Sequence, residues 1–580
     1  MGDSEEYPNK TEKALKTIRS AEGEVEGKIL KECPLCGGKL ILEITDHDSI
    51  VHRCKTCNEK YNLYYTDEEV YRYLPTLIIS TVDKFSTIGT QRRIKNIFGC
   101  QLNICKKGHG VFSAGDKCDC CQNNALADYS KVNMSLITQP KLIVQDELHL
   151  IRESLGSIDA HFEAFCEEIQ FELTGSKPNR IAMTATITGC SEQIDQLYNQ
   201  KVKVFPGPNP YGVIHPNELN NPFFEDEYDE NKPKLHRLIV GLKPNGRDNQ
   251  YATNLTIKYA RNFITDLLNG KILYDPKYNV TSEKLLEVAK NFTAILTYHN
   301  KKSDVFSTSH FMEPVLDDET EQSKVQKRSL TGDSNADEIR ETINSIEKFK
   351  SDKDTILHIT SATSIVSHGV DLERWNFMEF QGIPNNTAEY IQSRSRVGRT
   401  HVGLVFIWFY PNRVRDVSYF HNFTEYHEII DHKVEPVSIN KWTKLSLYET
   451  CTSIFLGSIL NYLSAKYNKP IYTRQQFDQF FRTEDPTHKD EIIDFMQRVY
   501  HTSSDKKGAD FFRNSIPSMV EERIKAILNV PADVSKYYFP TVLKEYSNKY
   551  YGIQTGMRGI QRKITLLPDN ASDQFVRERE

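Results

Sequence analysis

Two short apolar runs in this chain end directly in polar residues. Residues 141–145 (Lys-Leu-Ile-Val-Gln) lead into residues 146–149 (Asp-Glu-Leu-His), and residues 180–183 (Arg-Ile-Ala-Met) lead into residues 184–186 (Thr-Ala-Thr). Runs of this kind predict buried β-strands, and a helical stretch separates them. Strands that alternate with helices form a parallel sheet, whose active residues lie at the carboxyl ends of the strands. We therefore expect both polar clusters at one edge of an α/β sheet.

The carboxylate pair at the first strand end suits ATP hydrolysis. Asp146 could hold Mg²⁺ through water, and Glu147 could orient and deprotonate the attacking water. An acidic turn on the surface is the alternative. At the second strand end, the hydroxyl groups of Thr184 and Thr186 could couple a nucleotide site to a nucleic-acid site.

An arginine-rich block occupies residues 392–399, Gln-Ser-Arg-Ser-Arg-Val-Gly-Arg. Closely spaced arginines around a glycine can place guanidinium groups on a γ-phosphate from across a cleft. The alternative is a solvated basic helix face. Just upstream, Gly369 permits a tight turn, and Asp371 could reach a ribose or the backbone of a bound strand.

In their order and spacing, the carboxylate pair, the Thr-x-Thr, the Gly-x-Asp and the arginine block resemble motifs II, III, V and VI of superfamily 2 helicases. Longer stretches are similar to one subgroup, the DrmA-like helicases of the DISARM anti-phage defence systems, which are relatives of the DUF1998 helicases. The resemblance extends over residues 75–440 and is carried by residues 144–156, 201–206, 369–372, 387–399 and 413–421.

The resemblance implies a DNA-dependent motor that uses ATP and Mg²⁺ and acts with other defence-system subunits. It also implies an α/β fold with two RecA-like parallel-sheet domains, the first one incomplete. Ser395 stands where the common motif VI has glycine, and the subgroup tolerates this. The implied catalytic residues are Asp146, Glu147, His149, Gln392, Arg396 and Arg399, the coupling residues are Thr184, Thr186, Gly369 and Asp371, and the nucleic-acid-binding residues are Thr81, Asp83, Lys84 and Thr297.

The phosphate-binding loop of such a motor, Gly-x-x-x-x-Gly-Lys-Ser/Thr, does not occur in the sequence. Motif Ia is also missing. The motor could be split, with a separate chain supplying the loop and the first strands, the ATPase function could be lost, or the gene could be truncated. We favour the split motor, because a dead motor has no chemical need for Glu147 and Arg399. A partner chain would also cover an open sheet edge and exposed apolar surface.

The 12 cysteines fall mostly between residues 33 and 121, in pairs. Two Cys-x-x-Cys pairs separated by 17 residues predict a zinc ribbon, closed by four thiolates and therefore structural. The second cluster also suits zinc, although reactive or merely buried thiols are an alternative. The expected ligands are Cys33, Cys36, Cys54 and Cys57 in the first site and Cys105, His109, Cys118 and Cys121 in the second, with Cys100 and Cys120 as spare thiols.

Net charge and the distribution of apolar residues bear on the class of protein and on its location. The net charge of -6 gives no evidence for or against nucleic acid. The polar start and the lack of a bilayer-length apolar run predict a cytoplasmic protein that does not contact the membrane. A zinc-containing DNA-binding scaffold that hydrolyses no ATP is the alternative function.

The predicted parts of the chain are a docking segment (1–30), a zinc ribbon (31–65), a partial first RecA-like domain (66–205) with a Cys/His insertion (100–121), a linker with connecting helices (206–290), a second RecA-like domain (291–415) and a mostly helical C-terminal domain (416–580).

Overall fold

The structure is a computed structural model in which the chain forms two compact units. Residues 1–184, 189–202 and 437–580 belong to the first unit, and residues 185–188 and 203–436 belong to the second. The described residues are 11–24, 29–30, 32–64, 66–118, 129–131, 139–184, 190–204, 236–272, 281–311, 325–334, 336–347, 357–364, 372, 374–399, 401–435, 437–485, 487–530, 537–545, 552–554 and 557.

The first unit is organised around one helical core. A long helix, Glu153–Thr174, packs in this core with helices from the C-terminal part of the chain, so residues 437–580 complete the unit that the N-terminal residues begin. The helices are α1 (Thr11–Ser20), α2 (Asp67–Tyr73), α3 (Glu153–Thr174) and α4 (Cys190–Tyr198), and later α12 (Lys444–Gly457), α13 (Ser464–Lys466), α14 (Arg474–Asp478), α15 (His488–Val499), α16 (Ala509–Leu528) and α17 (Phe539–Glu545).

The described part of the first unit also contains three small sheets. Strands β1 (Leu40–Ile44), β2 (Ile50–Cys54) and β3 (Lys60–Tyr61) form an antiparallel ribbon. Strands β4 (Leu102–Cys105), β5 (Val111–Ser113) and β6 (Tyr129–Lys131) form a second one. The predicted strands at the two polar clusters are β7 (Leu142–Gln145) and β8 (Asn179–Ala182), which pair in parallel.

The run at residues 77–80, with its strand-like sequence, does not form a strand. A strand needs a neighbour for its backbone hydrogen bonds, and the described part of the chain provides none here. The side chains of Leu77 and Ile79 are 75% and 79% exposed. A 3₁₀ helix, Val82–Gly89, follows directly and contains part of the predicted nucleic-acid segment.

A π-helical stretch between α12 and α13, Ser458–Leu463, supports this 3₁₀ helix. The side-chain amide of Asn461 donates to the carbonyl oxygens of Ile88 (3.1 Å) and Gln91 (3.2 Å). Gly89 lies so close to this region that an added Cβ atom would meet Cα of Ser453 at 2.8 Å. Wide helical turns of this kind are rare and recur at functional sites.

The second unit contains a six-stranded parallel sheet, which confirms the predicted second α/β sheet. Its two central strands are buried along their whole length, as expected where helices cover both faces. The strands are β9 (Arg237–Leu242), β10 (Ala294–His299), β11 (Val325–Leu330), β12 (Leu357–Ala362), β13 (Trp375–Gln381) and β14 (Gly403–Trp408), in the spatial order β11-β12-β10-β13-β14-β9.

Two helices of the second unit begin after residues that cap them. Asp248 and Thr281 accept a hydrogen bond from the third residue that follows, Tyr251 and Lys284 respectively, and thereby satisfy one free N–H group in each first turn. The helices are α5 (Asn249–Leu268), α6 (Ser282–Lys290), α7 (Lys302–Phe311), α8 (Ala336–Glu347), α9 (Thr387–Arg394), α10 (Val414–His421) and α11 (Phe423–Glu428).

The predicted mostly helical C-terminal region is confirmed from Lys444 onward. Its separation as a domain of residues 416–580 stays a prediction, and the helices from 444 onward share the core of the first unit. None of the helices in the described ranges is long and apolar enough to cross a bilayer.

Candidate ATPase site and metal centres

The two candidate catalytic carboxylates lie where β7 ends, as predicted. Asp146 accepts a hydrogen bond from the backbone N–H of Glu147 at 3.0 Å. Glu147 has a left-handed backbone with φ 49°, which costs a residue other than glycine free energy and is common at functional turns. The N–H of Leu148 then donates to the carbonyl of Met183 (2.9 Å), tying this turn to the residue after β8.

His149 connects the two strand ends through its ring. Its Nδ1 atom lies 3.5 Å from Oε2 of Glu147 and 3.4 Å from Oγ1 of Thr184. The His149 side chain is buried, with 8% exposed. The structure therefore brings one predicted coupling residue, Thr184, into contact with the predicted catalytic turn, while Thr186 lies outside the described residues.

The side chain of Gln193 supports the backbone of this turn, a role that the sequence motifs did not indicate. Its side-chain amide donates to the carbonyl oxygens of Leu148 (2.8 Å) and Ile151 (2.9 Å), and Gln193 is buried. Only its place in α4, shortly after the Thr-x-Thr, hints at this role. Because buried carbonyls need donors, Gln193 fixes the backbone that carries His149.

In the second unit, the arginine block forms the end of α9 and the loop after it. Gln392 is buried, Arg396 is half-buried and Arg399 is exposed. Gly398 has φ 76°, and an added Cβ atom would lie 2.4 Å from the carbonyl oxygen of His236. Only glycine fits this position, so the backbone conformation explains the glycine in the Val-Gly-Arg sequence that ends the block.

Arg237 of β9 positions that loop, a role that no sequence motif indicates. Its guanidinium donates to the carbonyl oxygens of Val397 (2.5 Å) and Ser395 (3.1 Å). Burial lowers the pKa of Arg237, and the positive charges of Arg394 and Arg399 lower it further. The loop thus concentrates cationic groups on a strand end.

The remaining predicted residues are in varied settings. Thr81 is exposed, whereas Asp83 accepts from the N–H of Met557 (2.7 Å) and Lys84 forms an ion pair with Asp67 (2.8 Å). Thr297 is fully buried in β10 and donates to Ser361 (2.9 Å), so its side chain does not reach solvent. Gly369 and Asp371 lie outside the described residues.

One face of the β7–β8 pair is apolar and exposed. The side chains of Leu142, Val144 and Ile181 are each 51% exposed, and that of Met183 is 47% exposed. On the opposite face, Arg180 reaches α3 and forms ion pairs with glutamates there. Parallel strands are normally covered on both faces, so this pair lacks one layer within the described part of the chain.

The four predicted ribbon cysteines converge as expected for zinc. Sγ of Cys33 lies 3.6 Å from that of Cys57, and Sγ of Cys36 lies 3.5 Å from that of Cys54. Tetrahedral zinc at about 2.3 Å from each sulfur places the sulfurs about 3.8 Å apart. The phenol of Tyr61, 3.1 Å from Sγ of Cys33, is the main reason that the pKa of Cys33 is lowered to about 6, which favours the metal-binding thiolate.

The second cluster brings together three of its four predicted ligands. Nδ1 of His109 lies 3.6 Å from Sγ of Cys105 and 3.8 Å from Sγ of Cys118. Cys121 and the spare thiol Cys120 lie outside the described residues. Cys100 is buried away from the ligands near Asn96, and burial raises its pKa to about 12.

Comparison with known proteins agrees with these motifs. Residues 277–401 match the family described as "Helicase conserved C-terminal domain". The chain is 29% identical over 458 residues to the DISARM protein DrmA of Bacillus paralicheniformis, an alignment that covers 74% of this chain and 38% of that protein. The chain thus spans well under half the length of this curated relative.

Solved helicase structures are similar in part. One is the DUF1998 helicase MrfA bound to DNA and AMPPNP, at 17% identity and a TM-score of 0.38, covering 61% of this chain and 40% of that one. Another is the Mycobacterium smegmatis helicase Lhr bound to ssDNA and AMP-PNP, at 12% identity and a TM-score of 0.35, covering 63% and 39%. The matching family and the DrmA relative confirm the resemblance to DrmA-like superfamily 2 helicases that the motifs indicate.

Proposed function

We propose that this chain is the C-terminal part of a split ATP-dependent DNA translocase or helicase of anti-phage defence. A separate polypeptide supplies the phosphate-binding loop. The observation that carries the proposal is the contact of His149 with both Glu147 and Thr184. A motor needs its catalytic carboxylates to be coupled to the next strand end, and here a buried ring makes that connection. An inert surface turn needs no such contact.

Each predicted residue then has a chemical task. Asp146 would hold Mg²⁺, which would supply positive charge beside the phosphates, and Glu147 would orient the attacking water and accept its proton. Arg396 and Arg399 supply guanidinium groups for the γ-phosphate. Gly398 and Arg237 set the backbone from which these arginines project.

The exposed face of β7–β8 supports the need for a second polypeptide. Leu142, Val144, Ile181 and Met183 form an apolar patch beside the catalytic turn. An apolar face of this kind, on a sheet of only two described strands, fits a partner that contributes further strands and a helix layer. The phosphate-binding loop would arrive with those strands.

The proposed substrate, location and partners rest on the similarity to DrmA. DrmA is named as a DISARM protein, and this chain is 29% identical to it over 458 residues. We therefore propose DNA as the track, the cytoplasm as the location and other defence subunits as partners. Zinc in the two cysteine sites would be structural, holding the ribbon and the Cys/His hairpin in shape.

Purification of the native complex tests the proposal. The tagged chain is isolated from its own host, the copurifying polypeptides are sequenced, and ATP hydrolysis is measured with and without DNA. We expect a partner with a Gly-x-x-x-x-Gly-Lys-Ser/Thr loop and DNA-stimulated hydrolysis that Glu147→Gln lowers by about 100-fold or more. Glu192→Gln, at an exposed position of α4, is the matched control.

Three outcomes oppose parts of the proposal. Equal turnover by the Glu147→Gln complex would refute the catalytic assignment. A tagged native polypeptide heavier than 67.0 kDa that carries the loop itself would refute the split but leave the motor intact. A complex with neither loop nor hydrolysis, in which Glu147→Gln still protects cells, would favour the DNA-binding scaffold.

A further inference from the structure

The arginine block follows a short helix, α9, that has no cap of its own. The helix has eight residues, and the side chain of Asn386, the residue before it, makes no capping hydrogen bond. A helix this short is not stable by itself, so its position depends on contacts with other elements. Those contacts therefore decide where Arg396 and Arg399, which come directly after the helix, are placed.

The carboxylate of Glu435 supplies the missing cap from 48 residues further along the chain. Its Oε2 atom accepts a hydrogen bond from the backbone N–H of Thr387 (3.1 Å), and its Oε1 atom accepts one from the Thr387 hydroxyl (3.1 Å). A carboxylate at this position satisfies a free N–H group of the first turn and interacts favourably with the helix dipole. Glu435 thus fixes the start of α9.

His427 holds a buried tyrosine in the middle of α9. Tyr390 is completely buried, and its hydroxyl lies 2.7 Å from Nε2 of His427. Nδ1 of the same ring lies 2.7 Å from the carbonyl oxygen of Phe423. Because a carbonyl oxygen only accepts, Nδ1 carries the proton and Nε2 accepts from the Tyr390 hydroxyl. Burial lowers the pKa of His427, which favours this neutral form of the ring.

Both contacts come from one stretch of chain, residues 423–435, which we call the latch segment. It consists of α11 and a 3₁₀ turn, Ile430–Lys433. Tyr426 and Ile430 anchor the segment in the apolar core of the second unit. The latch segment therefore holds α9 at two positions three residues apart, which lie on the same face of a helix. Each contact prevents the helix from rotating about the other.

We propose that Glu435 and His427 are positioning residues of the arginine block. By fixing α9, they present Arg396 and Arg399 in one orientation before ATP binds. Arg237 holds the backbone of the following loop from the other side. Groups that are already in place need no reorganisation when charge develops in the transition state. The inference rests on the proposed function, which gives these arginines their task at the γ-phosphate.

Hydrogen exchange of the full chain tests the geometry without ATP. In Glu435→Ala and in Tyr390→Phe, the backbone amides of residues 387–394 should exchange about 5-fold faster, the change for one lost hydrogen bond. Glu435→Gln keeps an oxygen that can accept from Thr387 and should stay close to the wild type. The matched control is Glu428→Ala, which removes an exposed carboxylate from the same segment.

ATP turnover by the native complex separates positioning from a purely structural role. Misplaced arginines lose contacts with the transition state, so Glu435→Ala should lower kcat about 10-fold, a small part of the effect of removing such an arginine. The KM for ATP should stay within about 2-fold. Glu435→Gln should restore most of the turnover, and Glu428→Ala should match the wild type. The thermal midpoint of each variant, measured in parallel, shows whether loss of folded protein accounts for the change.

Three results would overturn the inference. The first is exchange in Glu435→Ala and Tyr390→Phe that equals the Glu428→Ala control, whatever the turnover. The second is faster exchange with unchanged turnover while Arg399→Ala lowers turnover, because the contacts would then serve only the fold. The third is unchanged turnover in Arg399→Ala itself, which would refute the proposed task of the arginines and thereby distinguishes a failure of the proposed function from a failure of the latch.

Discussion

Nδ1 of His149 lies 3.4 Å from Oγ1 of Thr184, so a buried imidazole joins the turn after β7 to the end of β8. The same nitrogen lies 3.5 Å from the Glu147 carboxylate. A shift of Thr184 therefore changes the position of the group that would activate water. Within the proposed motor, this contact is the route from the Thr-x-Thr to the chemistry.

Removing the Thr184 hydroxyl should uncouple DNA from hydrolysis. In the native complex we expect Thr184→Val to lower DNA-stimulated ATP turnover about 10-fold, in the range of a lost interaction of 1.4 kcal/mol, with a smaller effect on turnover without DNA. Thr184→Ser keeps the hydroxyl and should retain most stimulation. Equal stimulation of both variants would show that the hydroxyl does not act in coupling. Steady-state ATPase assays measure each.

Gln193 should be needed for stability as well as for the turn. In Gln193→Leu, the carbonyl oxygens of Leu148 and Ile151 lose their buried donor, which should cost about 2 kcal/mol of unfolding free energy. Urea denaturation of the full chain measures this. Glu192→Ala, one residue earlier and exposed, should change the free energy by less than about 0.5 kcal/mol. Similar values for the two variants would contradict the structural role.

Zinc content should report the two cysteine sites separately. We expect two zinc ions per chain by elemental analysis and one fewer in Cys36→Ser or in Cys105→Ser, because each serine removes one ligand of one site. Cys100→Ser should keep both ions, since that thiol lies away from the ligands. Wild-type zinc content in Cys105→Ser would mean that the second cluster holds no metal.

Lys441 should lower stability at neutral pH. Burial lowers its pKa to about 8, so below that pH the folded chain retains an ammonium group that is 1% exposed. The unfolded chain, with a pKa of about 10.4, binds more protons between these values. The unfolding free energy should therefore rise as pH increases from about 8 to about 10.

Lys441→Met should remove this pH dependence. We expect it to raise the unfolding free energy at pH 7 by about 1–3 kcal/mol and to flatten the rise above pH 8, as measured by urea denaturation at several pH values. Lys506→Met, which removes an exposed lysine paired with Asp195, should have little effect on either quantity. A destabilised Lys441→Met variant would show that the ammonium is favourable where it lies.

The apolar face of β7–β8 should be the surface that the partner covers. Val144→Asp places a charge in the middle of that face and should abolish copurification of the partner with the phosphate-binding loop, while the isolated chain stays folded. The matched control is Val414→Asp in the second unit, whose side chain is 88% exposed. Undiminished copurification with Val144→Asp would place the partner elsewhere.

The strand ends were predictable because their signal is local. An apolar run followed by carboxylates fixes both the strand and the edge at which Asp146 and Glu147 lie, and parallel pairing brings Thr184 to the same edge. The ribbon cysteines were predictable for the same reason, since ligand spacing is short and metal chemistry is strict.

The contacts that support these sites could not be predicted. Gln193 and Arg237 bind backbone carbonyls, and any residue with a suitable donor in the right place could do so, which leaves no pattern in the sequence. The run at residues 77–80 has a strand-like composition but forms no strand, because composition says nothing about whether a neighbouring strand is present. The burial of Thr297 depends on its place in a central strand, which the full sheet determines.

The core of the first unit draws on residues from both parts of the chain, with Tyr71 and Phe162 on one side of the insertion and Phe455 and Phe539 on the other. During translation, residues 203–436 leave the ribosome before the last helices exist. The second unit is nearly continuous in sequence and can fold on the nascent chain, whereas the first must wait until residues 437–580 have been made. Until then the apolar residues of α3 have no C-terminal helices to bury them, and transiently exposed apolar surface of this kind promotes aggregation.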